Sequence, residues 1–404
     1  MSRIYLDNHA TTRVDPAVIE AMLPWMDRYY ANPGSTTHEA GREAKQLVDN
    51  AIVSIGSHFG VSAEDVIITS GATESNNLAI FGFCQHPRQK KRKIVSLVTE
   101  HPALLGPLDR LAKNGFEVVY LPVQKHPSPM AGIIDLQSVA DVVDADTAIV
   151  SVMLANNEIG AIQPIREIAA ICSRYDVPLH TDASQAVGRI PINMEHLGVH
   201  LLSFSGHKVY GPKGIGGLIV RSAASPIRIS PQIVGGGQQQ NIRSGTLNSM
   251  GIIGLSKALE LASDFWMRDA QLVSELRNIL WSRLSHSVDG LIINGPSWVM
   301  SQHSQTLGAV NQEHRLAGNL NLCFPKVEGQ SLMLETPRLA LSSGSACTST
   351  DPAPSHVLRA IGRTEDQSRA SLRLGLGRFS TREDIECAAD LLVCAYEKLS
   401  AFVA

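Results

Sequence analysis

The segment LLSFSGHKVYGPKGIGGLIV, residues 201–220, joins two short apolar runs through a glycine-rich turn that carries two lysines. The runs LLSFS and GGLIV are typical of β-strands that are buried on both faces. Lys208 directly follows the first run, whereas Lys213 lies in a Gly/Pro loop where solvent would keep it charged. A lysine at a water-poor strand end can lose its proton and form an imine. Lys208 is therefore the candidate nucleophile.

Similar apolar runs recur from about residue 60 to residue 220, and amphipathic stretches such as IREIAAICSRY separate them. This alternation predicts an α/β domain with a mostly parallel sheet covered by helices. After about residue 250 the pattern changes to long helical stretches with a few strand-like pieces, which predicts a smaller α+β domain. Ligands of parallel sheets bind at the carboxyl ends of the strands, so polar residues at strand ends carry most of the information about function.

The run PLHTDASQAVG, residues 178–188, leads an apolar strand into Asp182, and Gln185 follows three residues later. A buried carboxylate needs a cationic or hydrogen-bond-donating partner, because its desolvation is costly. The protonated ring nitrogen of a pyridine cofactor would be such a partner. A helix cap or a structural salt bridge explains Asp182 equally well when this residue is considered alone.

The run ITSGATESNNLAI, residues 68–80, reads as a strand, a turn of small residues and a helix. Backbone N–H groups around Ala72 and Thr73 would then lie at a helix N-terminus, where phosphate groups bind readily. An ordinary helix cap is the simpler explanation of this turn by itself. Together, however, a phosphate-binding turn, Asp182 and Lys208 describe a pyridoxal 5'-phosphate (PLP) site, since PLP enzymes combine a Schiff-base lysine with a partner for the pyridinium nitrogen.

Four further residues extend this candidate site. Ser205 and His207 flank the Lys208 turn and could hold the phosphate. His101 follows a predicted strand and could stack on a flat ring, although a lone histidine is usually an ordinary core or surface residue. Arg373, in the strand-like run SLRLGLGRF, suits a bidentate grip on a carboxylate, and a surface ion pair is the alternative.

Cys347 differs from the other five cysteines because it lies in SSGSACTS, a composition typical of exposed loops. An exposed thiol is a liability unless it is used, so Cys347 is predicted to be a reactive nucleophile. Cys84, Cys172, Cys387 and Cys394 lie in apolar, helix-like segments and are predicted to be small core residues. The cysteines are scattered without zinc-like spacing, and we expect no metal site.

Composition excludes several classes of partner. The formal net charge is −3 and 44% of the residues are hydrophobic, so nothing favours direct binding of nucleic acid or of a membrane. The first residues, MSRIYLDNHATTRVDP, do not resemble a secretory signal. With cysteines that show no disulfide pattern, we expect a cytoplasmic protein.

The ordered motifs YLDNHATT, SGATESNN, TEH, NNEIG, HTDASQ, SFSGHKVYGPKG, RSGT, SSGSACTS and LRLGLGRF span nearly the whole chain. In this set the chain resembles cysteine desulfurases of the NifS/IscS type, which are class V, fold-type I PLP enzymes. The resemblance implies a large PLP-binding domain at 15–260 and a small domain formed by 1–14 and 261–404. The small domain would carry a cysteine loop of the long, mobile type at about 342–356.

The resemblance also implies roles for the candidate residues. Lys208 would bind PLP covalently, Asp182 would pair with the pyridine nitrogen, and Gln185 and Asn157 would approach the ring hydroxyl. His101 would stack on the ring and carry protons. Asn157 and Arg373 would grip the carboxylate of L-cysteine, and Cys347 would take its sulfur and pass it to an acceptor protein. The phosphate would be held by Ala72, Thr73, Ser205 and His207, and by Thr246 from the second subunit of a homodimer.

Three features depart from the family pattern. Gln239 in GGGQQQ stands where the family usually has a glutamate. Pro102 and Gly106 stand where relatives are less broken, so the helix after His101 is expected to start differently. The sequence ends with KLSAFVA, and we expect no contribution from the longer tail by which some relatives bind an iron–sulfur scaffold. The alternatives in function are a selenocysteine lyase, another class V PLP enzyme, and a PLP-bound sulfur-carrier subunit that is active only within a complex.

Overall fold

The computed structural model describes residues 3–221, 227–297, 314–343 and 354–402. Cys347 lies outside these residues, as does most of the predicted cysteine loop.

The described residues form thirteen strands and twelve helices. The strands are β1 (Ile4–Tyr5), β2 (Val66–Thr69), β3 (Lys93–Leu97), β4 (Glu117–Leu121), β5 (Thr147–Ser151), β6 (Leu179–Asp182), β7 (Leu201–Ser205), β8 (Gly216–Val220), β9 (Ile292–Ile293), β10 (Asn319–Cys323), β11 (Leu339–Ala340), β12 (Ser342–Ser343) and β13 (Ser371–Gly375). The helices are α1 (Pro16–Met22), α2 (Glu39–Phe59), α3 (Ala72–Cys84), α4 (Pro102–Lys113), α5 (Leu136–Val142), α6 (Ile165–Cys172), α7 (Met194–Leu197), α8 (Ser249–Ser287), α9 (Gly329–Glu335), α10 (His356–Ala360), α11 (Glu365–Arg369) and α12 (Arg382–Ser400).

Seven strands form the central sheet, in the order β2-β8-β7-β6-β5-β3-β4. The strands from β7 to β4 run parallel, whereas β8 is antiparallel to both of its neighbours. Every residue of β5, β6 and β7 is buried, because helices cover both faces of the sheet. The predicted α/β fold with a mostly parallel, helix-covered sheet is confirmed.

Alternate residues of each strand pack on opposite faces of the sheet, as the period of two in a strand requires. Ile149 and Leu201 pack with α3 and α4 on one face of the sheet. Val150 and Leu202 pack with α2, α6 and the first half of α8 on the other face. The sheet is therefore fixed from both sides, and its carboxyl edge is held rigidly enough to position side chains.

The rest of the chain builds a second core around an antiparallel sheet of the order β12-β13-β10-β9. The N-terminal residues Ile4 and Leu6 join this core, and β1 pairs with β11. Helix α8 spans both cores: Leu255 packs into the first and Leu280 into the second. The predicted boundary near residue 260 thus falls within a continuous helix, and the division into 15–260 and the remainder stays a prediction.

Two smaller observations complete the fold. Cys84 and Cys172 are buried as predicted, Cys387 is half-buried, and Cys394 is exposed, so its assignment to the core is wrong. None of the described helices combines the length and the apolar character that a membrane crossing requires.

Candidate active site

A cavity of about 480 Å³ opens where β2, β5, β6 and β7 end, a size typical of small-molecule sites. It lies at the carboxyl edge of the sheet, where ligands of such folds bind. Nine of the residues predicted from the sequence line this cavity: Ala72, Thr73, His101, Asn157, Asp182, Gln185, Ser205, His207 and Lys208. The fold therefore brings together predicted residues that lie up to 136 positions apart in the sequence, as Ala72 and Lys208 do.

One end of the cavity is a turn between β2 and the N-terminus of α3. Gly71 in this turn has φ 146° and ψ −179°, a backbone conformation that is accessible essentially to glycine alone. A hydrogen bond of 2.8 Å between Thr69 Oγ1 and Ser75 Oγ ties the turn to the helix. Ser205, at the end of β7, faces Gly71. The N-terminus of α3 and Ser205 thus line the same end of the cavity, which suits a phosphate.

An ion pair that the sequence analysis missed supports this turn. Arg243 donates from Nε to Glu74 Oε1 at 2.8 Å and from Nη2 to Glu74 Oε2 at 3.3 Å. Arg243 immediately precedes the Ser-Gly-Thr sequence that includes Thr246. The bidentate pair therefore ties the segment of Thr246 to the first turn of α3.

Asp182 ends β6 and is buried, with an exposed fraction of 6%. Its Oδ2 accepts a hydrogen bond of 2.7 Å from Asn76 Nδ2, and its Oδ1 accepts one of 2.9 Å from the backbone N–H of Ser184. Within the described ranges no ion pair involves Asp182. A buried carboxylate without a cation at a cavity wall is suited to a ligand that brings a positive N–H group.

Lys208 lies in a short 3-10 turn, Gly206–Lys208, directly after β7. Its Nζ donates a hydrogen bond of 2.5 Å to the backbone carbonyl of His9. Lys213 lines the same cavity but is exposed, as its Gly/Pro loop predicts. The half-buried, oriented Lys208 is thus better placed for covalent chemistry than Lys213, and its role stays a prediction.

His101 forms the N-cap of α4, which begins at Pro102 in spite of the unusual sequence. Its Nδ1 accepts a hydrogen bond of 3.1 Å from the backbone N–H of Ala103, so a neutral ring carries its proton on Nε2. Burial lowers the pKa of His101; Asp182 opposes this, while Lys208 lowers it further. Its ring is therefore mainly neutral at pH 7 and carries a donor N–H group at Nε2.

His207 also lines the cavity, and its Nδ1 lies 3.1 Å from Thr11 Oγ1. Burial lowers the pKa of His207 to about 4, and the nearby ammonium groups of Lys208 and Lys213 act in the same direction. His207 therefore offers a neutral hydrogen-bonding group to a phosphate at pH 7. The positive charge at this end of the cavity comes from Lys208 and Lys213.

Two predicted residues do not line the cavity of the single chain. Arg373 is buried in β13, where it pairs with Asp7 at 2.9 Å and donates to the backbone carbonyl of Asn157 at 3.1 Å. Its Nε has no hydrogen-bond partner in the part of the chain that the structure describes. Arg373 thus lies behind the wall that Asn157 forms. Thr246 is exposed on the surface of the chain, where a second subunit could use it.

The segments on either side of Cys347 are anchored beside the cavity by two carboxylates that the sequence analysis missed. Ser342 Oγ donates to Asp7 Oδ1 at 2.8 Å, and Ser355 Oγ donates to Glu158 Oε2 at 2.5 Å. Burial raises the pKa of Glu158 to about 7, against the lowering effects of Ser355 and Arg373. Asp7 pairs with Arg373, a candidate substrate-binding residue, and Glu158 directly follows the cavity residue Asn157 in the sequence. Both anchors therefore lie next to the candidate site.

The residues present fit PLP. Asp182 makes no ion pair with a described residue, the Gly71 turn begins a helix without a side-chain cap, and Lys208 lines the same cavity. Ser184 Oγ is buried without a hydrogen-bond partner among the described residues, although Ser184 lines the cavity. An orphaned buried hydroxyl at a cavity wall indicates that a polar ligand completes the site.

Comparison with known proteins agrees with this assignment. The sequence model of the family described as aminotransferase class V matches residues 4–387. The chain belongs to the class-V aminotransferase family. The predicted resemblance is thereby confirmed, together with the PLP cofactor and the assignment as an enzyme, because members of this family are PLP-dependent.

Individual relatives of this class-V chain point to one branch of the family. A protein of Rickettsia prowazekii named cysteine desulfurase IscS is 41% identical over 396 residues, which cover 98% of this chain and 92% of the relative. A solved structure described as a NifS-like protein has a TM-score of 0.85 and 33% identity, covering 98% of this chain and 99% of that one. A structure of SspA in complex with cysteine has a TM-score of 0.77 and 31% identity, with coverages of 93% and 99%.

Proposed function

We propose that this class-V chain is a PLP-dependent cysteine desulfurase, which converts L-cysteine to L-alanine and holds the sulfur on Cys347 before passing it to an acceptor protein. The observation that carries the proposal is the cavity in which the nine predicted residues meet. The relatives named cysteine desulfurase and the relative solved with cysteine support this choice of substrate.

When bound, PLP supplies an electron sink for bonds at the α-carbon of an amino acid. Asp182 would keep the pyridine nitrogen protonated, and the N-terminus of α3 with Ser205 and His207 would hold the phosphate. Lys208 would anchor the cofactor and then serve as the amine that moves a proton at the α-carbon of the substrate. These roles agree with the burial of Asp182 and with the orientation of Lys208 towards His9.

His101 would act as a proton carrier beside the substrate. Because its Nδ1 is engaged by the N-terminus of α4, proton exchange takes place at Nε2. Asn157 would bind the substrate carboxylate, and Arg373 would support Asn157 from behind the cavity wall. Arg373 is paired with Asp7, so its contribution reaches the cavity through the wall residue Asn157, whose backbone carbonyl it holds.

The sulfur step balances as a transfer of one sulfur atom. The thiolate of Cys347 attacks the substrate sulfur, an S–S bond forms, and the C–S bond of the substrate breaks. L-Cysteine and the enzyme thiol thereby give L-alanine and an enzyme persulfide, and the β-carbon of the product takes up a proton. An acceptor protein for iron–sulfur cluster or other thio-compound synthesis would then receive the sulfur.

We further propose a homodimer in which Thr246 completes the phosphate site of the neighbouring subunit. The exposure of Thr246 and its tie to α3 through Arg243 and Glu74 support this assignment. Sedimentation tests it, since a fully active monomer would exclude it. A cytoplasmic location is also part of the proposal, supported by the five free thiols in the described chain.

The test of the proposed function is alanine release by the purified, PLP-loaded chain without other proteins. With L-cysteine and dithiothreitol, we expect catalytic alanine and an equal amount of sulfide. L-Serine in place of L-cysteine is the matched control and is expected to give no alanine. Alanine that appears from selenocysteine but not from cysteine, or only after a second protein is added, would contradict the proposal.

A further inference from the structure

We propose that His9 is a positioning residue that fixes the side-chain amide of Gln185, so that Gln185 turns an N–H group, and not its carbonyl oxygen, towards the cavity. The inference rests on the PLP-binding part of the proposed function and is independent of the substrate.

His9 and Gln185 lie 176 positions apart in the sequence and meet beneath the cavity floor. His9 is buried, with an exposed fraction of 1%. Its Nδ1 lies 3.0 Å from Gln185 Oε1. Gln185 Nε2 lies 2.8 Å from the backbone carbonyl of His9, and Arg189 Nη1 lies 2.5 Å from Gln185 Oε1.

These three contacts agree on one assignment of the hydrogens. A guanidinium can only donate, so the Gln185 atom beside Arg189 is the amide oxygen. A carbonyl can only accept, so the atom beside the His9 backbone is the amide nitrogen. His9 Nδ1 faces the amide oxygen and must therefore donate. Rotating the amide would bring two donors together at Arg189 and two acceptors together at His9.

The environment keeps the His9 ring in the required neutral form. Burial lowers the pKa of His9 well below its ordinary value, and the cations of Arg189, Arg373 and Lys208 act in the same direction. With the proton on Nδ1, the ring presents a lone pair at Nε2. No described residue makes a hydrogen bond to His9 Nε2, so no acceptor is available there for the second proton of an imidazolium.

The consequence for the cavity follows from the second hydrogen of the Gln185 amide nitrogen. One hydrogen is donated to the His9 backbone, and the described residues offer Nε2 no other acceptor. Gln185 itself lines the cavity. An N–H group stabilises an anionic oxygen and lowers its pKa, so the fixed amide suits the ring oxygen of the cofactor. His9 acts on this oxygen through Gln185, without contact with the reacting atoms.

The experiment is a pH titration of the visible absorption band of the PLP-loaded protein, without substrate. His9→Leu removes the donor, and we expect the midpoint to rise by roughly 0.5–1 pH unit, the size of one ordinary hydrogen bond. His9→Asn retains a donor of similar reach, and we expect it to restore most of the wild-type midpoint. His58→Leu removes another histidine contact, with Ser263, and we expect the wild-type midpoint.

A double-mutant cycle separates positioning from a general structural effect. Gln185→Leu should raise the midpoint, and His9→Leu in that background should add nothing, because its target is gone. An unchanged midpoint in His9→Leu, or a full additional shift in the double variant, would overturn the proposal.

A measurement on the wild-type protein covers the case in which His9→Leu does not fold. Nitrogen-15 NMR of the histidine rings is expected to show His9 protonated at Nδ1 and bare at Nε2. Protonation at Nε2 would also overturn the proposal. Neither readout uses cysteine, so a failure of the desulfurase assignment would leave both results interpretable.

Discussion

The side-chain amide of Gln239 bridges both backbone groups of Ile68. Its Oε1 accepts from the Ile68 N–H at 2.6 Å, and its Nε2 donates to the Ile68 carbonyl at 3.0 Å and to the Arg243 carbonyl at 3.3 Å. Strand β2 is an edge of the central sheet, so the amide satisfies groups that a further strand would otherwise pair. The glutamate usual in the family at this position has no N–H group to donate.

Gln239→Glu is therefore expected to destabilise the protein at neutral pH. The carboxylate would face two carbonyl oxygens, and losing two donated hydrogen bonds costs about 1–3 kcal/mol. The loss of stability should be smaller at low pH, because a protonated carboxyl group can again donate a hydrogen bond. Thermal unfolding of the PLP-loaded protein measures the effect. Gln240→Glu is the matched control, since exposed Gln240 donates a single bond of 3.2 Å to the Glu64 carbonyl. Equal stability of Gln239→Glu and wild type at pH 8 would refute this account.

Glu158→Gln is expected to change how stability depends on pH. The folded-state pKa of Glu158 is raised from 4.5 to about 7, so the folded chain keeps a proton that the unfolded chain loses. Below about pH 4.5 this group makes its full contribution of roughly 3 kcal/mol to the free energy of unfolding. The contribution is lost as the pH rises to about 7. Glutamine cannot ionise and preserves the shape that Ser355 contacts.

Melting temperatures of wild type and Glu158→Gln at pH 5 and pH 8 test this expectation. The melting temperature of the variant minus that of the wild type should be higher at pH 8 than at pH 5. All other titrating groups are common to both proteins, so the change in their difference reports Glu158. A difference of the same size at both pH values would show that Glu158 does not titrate between them.

Gly71→Ala is expected to weaken PLP binding by roughly 5- to 150-fold, since forcing a side chain into this backbone conformation costs about 1–3 kcal/mol. The strain falls on the turn that would hold the phosphate. Equilibrium titration of the apoprotein with PLP gives the dissociation constant. Gly106→Ala, inside α4 with no atom within 4 Å of the added methyl group, is the control and should bind PLP like the wild type. Unaltered affinity in Gly71→Ala would remove the turn from the cofactor site.

Lys208→Ala is expected to abolish the visible absorption of covalently bound PLP, whereas Lys213→Ala should retain it. Both lysines line the cavity, and the pair therefore tests which amine forms the covalent link. Spectra of the two purified variants after incubation with PLP decide the matter. A visible band that survives in Lys208→Ala and vanishes in Lys213→Ala would reverse the assignment.

The sequence predicts this site well where function lies at the ends of strands. Asp182, Ser205 and Lys208 each follow an apolar run, and parallel strands bring their carboxyl ends together whatever the details of packing. The regular alternation of strands and helices likewise determines the sheet. Such local signals predict the fold and most of the cavity wall.

The residues that support the site are not predictable in this way. His9 and Gln185 are 176 positions apart, and Arg373 and Asp7 are 366 positions apart. Their contacts depend on how the N-terminal segment crosses from the second core to the first, for which the sequence has no local pattern. His101 as an N-cap was also missed, because serine, threonine, aspartate and asparagine are the residues expected there.

The central claim is that Cys347 receives the sulfur of L-cysteine. The direct measurement is one turnover of the PLP-loaded protein with L-cysteine and no reductant, followed by mass spectrometry of the peptide that contains residue 347. The wild type should gain one sulfur atom on Cys347 and release one alanine per active site. Cys347→Ser should bind PLP and perturb its spectrum on addition of cysteine, yet release no alanine, because a hydroxyl is far less ionised than a thiol at pH 7. Alanine release by Cys347→Ser at the wild-type rate, or a wild-type peptide without the added sulfur, would contradict the claim.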